Sequence, residues 1–304
     1  MPKTLFNKVT IIGVGLIGGS LGLAIKKRQV ASQVVGIFRS EDSADRALKK
    51  GAVDKSVYEL KEGLVDADLV ILSTNISTII DHLKKIDPLL KKGSIVIDVG
   101  SVKSPIIRTA KDYIKTGHFI GCHPMAGSEK TGVANADPDL FLNSTCLVPS
   151  NEESNNVNTV ICNFWKQVGC KSVMKIDPAE KHDLWVAFSS HFPHVISYAM
   201  FNRSWNDISD WIQSKSTGNL NRSILAMARI SHSDPTLWSD ILSHNSENVL
   251  KEIGAFEEKM GTFKTILKLK NLVERNQQMK EFLKEACKNA ILFPCDQSND
   301  SNGG

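Results

Sequence analysis

Four groups of residues in this chain have the types and spacing to do chemistry. Gly13-Val14-Gly15-Leu16-Ile17-Gly18 spells G-x-G-x-x-G, directly after the apolar run Lys8–Gly13 and at the start of the helical stretch Leu16–Arg28. Between a strand and a helix, the first glycine permits a tight turn and the second lets backbone approach a pyrophosphate. The third lets the helix pack close to the strand. The unpaired N–H groups at the helix start meet the phosphates, so Gly13, Gly15, Leu16, Ile17 and Gly18 are read as cofactor-binding. About 20 residues on, where an acid would bind a free ribose hydroxyl of NAD, the next strand ends Phe38-Arg39-Ser40. A guanidinium there suits a 2′-phosphate. Arg39 and Ser40 therefore join the cofactor set and favour NADP, with NAD left open through Glu41.

The other three groups carry titratable side chains. Asp98-Val99-Gly100-Ser101-Val102-Lys103 and His123-Pro124-Met125-Ala126-Gly127-Ser128-Glu129 each follow an apolar run. They would thus stand at the sheet edge where open α/β folds bind ligands. His182-Asp183 and Ser190-His191-Phe192-Pro193-His194 are spaced so that a helix can direct several of them at one cleft. A neutral histidine in such a cleft can take a proton near neutral pH. None of the six cysteines makes a C-x-x-C pair, no metal site is spelled, and reduced thiols are expected.

The elements that must position these groups alternate in the first half of the chain. Lys8–Gly13, Val34–Phe38, Asp68–Leu72 and Ser94–Asp98 read as strands, with shorter ones at Phe119–Gly121 and Thr145–Val148. Helical stretches such as Leu16–Arg28 and Ser43–Lys50 separate them, which implies a parallel sheet covered on both faces. From about Pro178 helical periodicity takes over, and Asn248–Leu283 carries apolar stripes at three- or four-residue spacing. Such a stripe packs within one subunit or against a second copy. The segment Val9–Ile25 is uncharged between Lys8 and Lys26, but its glycines argue against a signal or membrane helix. The chain's 304 residues, 41% of them hydrophobic, suit two soluble domains. A net charge of +4 without a basic block argues against nucleic acid as partner. The expected division is 1–176 for nucleotide binding, 177–293 helical, and 294–304 a disordered tail.

Five strings taken together resemble the prephenate/arogenate dehydrogenases of tyrosine biosynthesis. They are GVGLIGGS (Gly13–Ser20), DVGSVK (Asp98–Lys103), HPMAGSEKTG (His123–Gly132), HDLWVAFSSHFPH (His182–His194) and ARISHSDPTLW (Ala228–Trp238). The resemblance implies a Rossmann-type doubly wound parallel sheet followed by an all-α dimerisation domain, in a cytoplasmic homodimer joined through the helical half. It implies NAD(P)-dependent oxidative decarboxylation of a small cyclohexadienyl acid, prephenate or arogenate. It also assigns roles. His123 is the general base, and Ser101 hydrogen-bonds the same hydroxyl or the histidine. Arg229 pairs with a substrate carboxylate, which a guanidinium fork suits. His194 lies near the substrate, Glu129 gates or orders the site, and Asp183, with His182, supports the constellation within the substrate-binding set. Trp238 is read as packing.

The sequence also departs from that family. Relatives carry a G-F-[RK]-D-x-T-R run into the substrate arginine, whereas here Ser223–Arg229 lacks the second basic residue. How the substrate side chain is read, prephenate against arogenate, stays open. Two alternatives stay open as well. One is a β-hydroxyacid-type dehydrogenase, since Lys215 and Asn219 spell K-x-x-x-N. The other is a non-catalytic NAD(P)-sensing protein, since a fold does not fix a function.

Overall fold

The structure is a computed structural model that describes residues 4–128, 130–149, 155–202 and 222–293. Glu129, Lys215, Asn219 and the segment 294–304 lie outside the described residues. The alternating runs fold as β1 (Phe6–Ile12), α1 (Leu16–Lys27), β2 (Ala31–Ile37), α2 (Glu41–Lys50), β3 (Lys55–Val57) and α3 (Leu60–Leu64). There follow β4 (Leu69–Leu72), α4 (Ile76–Ile86), β5 (Ile95–Asp98), α5 (Ser104–Tyr113) and β6 (His118–Gly121). The strands form one parallel sheet in the order β3-β2-β1-β4-β5-β6. This is the doubly wound arrangement that the alternation implies.

Strands buried on both faces must be apolar throughout, and β4 (LVIL) and β5 (IVID) are buried at every position. One face of the sheet sends Ile11, Ile71 and Ile97 into a core with Leu21 and Ile25 of α1 and Phe164 and Trp165. The other sends Ile12, Val70 and Val96 against Ile79 and Leu83 of α4 and Ile106 of α5. Strand order reverses between β1 and β4, and register aligns Ile12 with Leu72, Leu72 with Asp98 and Asp98 with Gly121. The loops after these four strands therefore open at one edge. They carry Gly13–Gly15, Ser73–Asn75, Val99–Lys103 and Cys122–His123.

A second, smaller sheet joins β7 (His123–Pro124), β8 (Thr145–Pro149) and β9 (Ser172–Ile176), with α6 (Asn155–Gln167) between the last two. β7 pairs antiparallel with β8, and β8 parallel with β9. Among the described residues, every regular element after β9 is helical. These are α7 (Ala179–Val186), a π-helical turn (Ala187–His191), α8 (Phe192–Phe201), α9 (Arg222–Ser231), α10 (Pro235–His244), α11 (Ser246–Lys268) and α12 (Leu272–Ala290).

By its contacts the chain divides into two units, residues 1–249 and 250–304. In the second, the Asn271 side chain caps α12 by accepting from Val273 N–H at 2.9 Å and Glu274 N–H at 3.2 Å. Phe263 and Phe282 meet edge to face there at 5.4 Å. Cys122, Cys146, Cys162, Cys170 and Cys287 are free thiols. No helix among the described residues is long and apolar enough to cross a membrane.

Candidate active site

A cleft of about 360 Å³ opens at the carboxyl edge of the main sheet, where the strand order reverses. Ile17, Ser73, Ser101, His123 and Lys130 line it, together with Leu237 and Ile241 of α10. The glycine string shapes one wall. Gly13 has φ +94°, and a Cβ there would lie 2.6 Å from the Ser73 carbonyl oxygen. A Cβ on Gly18 would collide with the Gly13 carbonyl, so the loop closes tightly only with glycine at both places. Gly15 differs, because its Cβ direction is open space. Helix α1 starts just after it with no side-chain cap. An open approach to uncapped N–H groups is what a dinucleotide pyrophosphate requires, so these residues fit that group.

Arg39 follows β2 as an exposed side chain that makes no hydrogen bond or ion pair among the described residues. Its charge reaches His82 on α4, whose pKa is lowered by burial first and then by Lys85 and Arg39. Ser40 is the N-cap of α2, accepting from Ser43 N–H at 3.4 Å.

His123 ends the turn between the two sheets, half buried, with its imidazole in the cleft. His123 Nδ1 lies 3.0 Å from His182 Nε2, and His182 Nδ1 lies 2.9 Å from Asp183 Oδ1. The Asp183 carboxylate also accepts from the backbone N–H groups of Lys103 at 2.7 Å and Ser104 at 2.8 Å, at the start of α5. His182 and Asp183 are buried, at 0% and 2% exposure. Beneath them the fully buried Lys103 ammonium pairs with Asp98 and donates to the Cys122 carbonyl at 2.9 Å.

These surroundings set the charge states. Burial, and then the cationic influence of His182, Lys103 and His191, pushes His123 well below its ordinary value. Burial likewise lowers His182, with Asp183 opposing and Lys103 reinforcing. For Asp183 burial works against the charge, yet hydrogen bonds from His182, Ser104 and the backbone hold its pKa below the usual carboxylate value. Burial raises Asp98, against the pull of Lys103.

A second group stands on the helices. His194 donates from Nδ1 to the Ser190 carbonyl at 2.9 Å and stacks flat on Trp238 at 3.4 Å. Trp238 also meets His191 edge-on at 5.9 Å, so this packing residue packs on two histidines. Arg229 on α9 is exposed, and its charge helps lower His194 after burial has done so. Asp240 fastens α10 to the nucleotide side by accepting from Ile76 N–H at 2.7 Å and from the Ser77 hydroxyl.

The sequence-predicted residues thus fall into two sets. Leu16, Ile17, Ser101 and His123 share the cleft, while neither His194, which stacks on Trp238, nor Arg229, whose charge reaches His194, lines it. Ser101 makes no hydrogen bond to His123 or to any other described residue, which leaves its hydroxyl for a bound molecule. Asp183, expected among substrate-binding residues, does not line the cleft, and both its oxygens are taken by protein donors. Sequence reasoning gave no role to Lys103, although it lies in the DVGSVK string, nor to Asn245. The Asn245 amide donates to the Asp183 carbonyl at 2.8 Å and to His191 Nδ1 at 3.0 Å. An asparagine between two helices carries no local signal for such a contact. Among the described residues, no group of three His, Cys, Asp or Glu is placed to hold a metal ion.

Comparison with known proteins bears on the whole of this arrangement. A family model described as prephenate dehydrogenase, nucleotide-binding domain, matches residues 21–174. One described as prephenate dehydrogenase, dimerization domain, matches residues 178–286. A prephenate dehydrogenase of Lactococcus lactis subsp. cremoris is 32% identical over 287 residues, covering 93% of this chain and 76% of that one. A cyclohexadienyl dehydrogenase of Zymomonas mobilis is 29% identical over 257 residues, covering 83% of this chain and 86% of that one. Among solved structures, Aquifex aeolicus prephenate dehydrogenase in complex with hydroxyphenyl propionate and NAD+ superposes with a TM-score of 0.80. That pair is 25% identical, over 95% of this chain and 98% of the other.

Proposed function

The chain belongs to the prephenate dehydrogenase family, and on that premise we propose that it oxidises and decarboxylates prephenate or arogenate with NADP. The products are 4-hydroxyphenylpyruvate or tyrosine, together with CO2. The nicotinamide, when bound, accepts the hydride from the ring carbon that bears the hydroxyl. His123 takes the hydroxyl proton as the carbonyl forms, a role for a neutral imidazole at the cleft wall. Ser101, its hydroxyl unused, donates to or accepts from the same oxygen and holds it against His123. The new carbonyl is conjugated through the ring to the carbon carrying the carboxylate. The electron pair of the breaking C–CO2 bond therefore passes through the ring to the carbonyl oxygen, which takes the proton back from His123 as the ring becomes aromatic, and the step is effectively irreversible.

Arg229 and His194 hold the substrate side chain, and the guanidinium pairs with its carboxylate. Glu129 orders the loop beside His123. The Gly13–Gly18 turn and the start of α1 hold the pyrophosphate, and Arg39, with no partner among the described residues, pairs with a 2′-phosphate. Residues 1–176 form the nucleotide-binding part and residues 177–293 the substrate and dimerisation part of a cytoplasmic homodimer. The observation that carries this reading is His123, hydrogen-bonded to His182, in the same cleft as the uncapped start of α1. Nicotinamide reduction with prephenate and with arogenate, each with NADP and with NAD, tests it. Turnover with either substrate supports it, and silence in all four, from folded protein that binds nucleotide, removes it.

A further inference from the structure

We propose that His182 and Asp183 act as a proton-ordering relay that fixes His123 in the tautomer with Nε2 free to take the substrate proton. This rests on the reading of His123 as the base. Two groups have a hydrogen-bonding polarity that admits no choice. The backbone N–H groups of Lys103 and Ser104 can only donate, and both point at Asp183, at 2.7 and 2.8 Å. Both carboxylate oxygens are therefore acceptors, and the start of α5 favours the negative charge. His182 Nδ1, 2.9 Å from Oδ1, must then carry the hydrogen and donate it. A neutral imidazole with hydrogen on Nδ1 has a lone pair on Nε2. That lone pair faces His123 Nδ1 at 3.0 Å, so His123 in turn donates from Nδ1. Its own lone pair is left on Nε2, the nitrogen not engaged by the relay.

The order holds only while His182 is neutral. A cationic His182 would present N–H at both nitrogens and force His123 to accept at Nδ1. His123 would then carry hydrogen on Nε2, and the base would be blocked. The groups that face the pair are Asp183, Lys103, Asp98 and His191. Burial without solvent and the Lys103 ammonium disfavour a second cation, while Asp183 keeps the hydrogen on Nδ1. When His123 takes the substrate proton it becomes cationic, and its Nδ1–H still points at the His182 lone pair. The Asp183 charge stabilises that state through the intervening ring. His182 and Asp183 do not line the cleft and act as positioning residues.

Tautomers are read directly from imidazole nitrogen shifts. In protein labelled with 15N-histidine, with His123→Asn assigning the signals, His123 is expected at pH 7 with hydrogen on Nδ1 and a bare Nε2. His182→Leu removes the acceptor, so His123 is expected to lose its single tautomer. Its kcat should fall about a hundredfold, within the range for general-base catalysis, with KM for nucleotide unchanged. A glutamine amide carries an acceptor and a donor about as far apart as the two ring nitrogens. His182→Gln is therefore expected to restore both the tautomer and most of the turnover. Hydrogen on Nε2 of His123 in the parent protein overturns the proposal. So does a folded His182→Leu protein with unchanged tautomer and rate, or a His182→Gln protein as slow as His182→Leu. The tautomer measurement needs no substrate. Absent turnover in all four substrate and cofactor pairs would remove the functional reading while the relay was judged by the spectrum alone.

Discussion

Lys103 buries its ammonium against the Asp98 carboxylate with both side chains fully hidden from solvent. The same residue reaches the Cys122 carbonyl through its side chain and Asp183 through its backbone N–H. One lysine thus joins the end of β5, the residue before His123 and the carboxylate behind His182. A buried ion pair adds little net stability, but removing one partner leaves the other charged and desolvated. With Lys103→Met, Asp98 keeps only the N–H groups of Gly100 at 2.8 Å and Cys122 at 3.4 Å. The expected loss is about 3–5 kcal/mol, and the double variant Lys103→Met, Asp98→Asn should recover much of it. Urea unfolding of the three proteins decides whether the recovery occurs.

With His123 as the proposed base, its lowered pKa sets the acid side of the pH profile. The base works when neutral, and it stays neutral until the pH falls below its own depressed value. The logarithm of kcat/KM should therefore stay level as the pH drops through 6.5 and decline only below that ordinary histidine value. A decline centred at 6.5 or higher would contradict a buried neutral base. His123→Asn should lower kcat by at least about a hundredfold and leave nucleotide affinity, followed by fluorescence quenching, unchanged.

On the proposed function, Arg39 is the residue that decides NADP against NAD. A charge-assisted hydrogen bond contributes about 1.5–3 kcal/mol, which is roughly ten- to a hundredfold in a ratio of affinities. Arg39→Asp should remove that preference for NADP and replace it with repulsion of a 2′-phosphate. Steady-state kinetics with both nucleotides measure the ratio. An unchanged ratio would place the ribose pocket elsewhere, and His82 on α4 would be the next side chain to replace.

The parallel sheet was legible because strands apolar on both faces have few other folds open to them. Expected strands such as Asp68–Leu72 and Ser94–Asp98 agree with β4 and β5 to within a residue. β3, three residues long at the sheet edge, and β9, largely half-exposed, carry too little apolar pattern to be read. His123 and Ser101 stood out by their place after strands. That His182 and Asp183 support them was legible only through the family resemblance, because the contact from His123 to His182 spans 59 residues of sequence. Nor does composition show that Lys103 is buried, since a lone lysine reads as a solvated one.

Dimerisation through the helical half also has a direct check. The family model over residues 178–286 is described as a dimerization domain. In that stretch Trp185, Phe188, Leu250, Leu272 and Val273 are exposed at 41%, 47%, 65%, 59% and 76%. Large apolar side chains so exposed are commonly covered by a partner. The chain should sediment as a dimer at micromolar concentration. A monomer at every concentration would contradict the proposed dimer.

His191 makes stability depend on pH. Its Nδ1 accepts from Asn245, whose amide nitrogen is fixed because it also donates to the Asp183 carbonyl. Burial opposes the charge, with Asp183 working against that shift and His194 and His182 adding to it, so the folded pKa is lowered from 6.5 to about 4; a proton on Nδ1 would also set one N–H against another. Above pH 6.5 folded and unfolded chains both hold the ring neutral, and the group makes no difference. As the pH falls from 6.5 to about 4 the unfolded chain binds a proton and the folded chain does not. Stability is therefore lost across that window, roughly 3 kcal/mol in all, and no further below it. His191→Gln should be less stable than the parent at pH 7, because the packing on Trp238 is lost. Its disadvantage should shrink steadily toward pH 4.5, since glutamine does not titrate. Urea midpoints for both proteins at pH 7, 6 and 4.5 give the comparison, and a constant gap would show that the folded His191 ring protonates near its ordinary value.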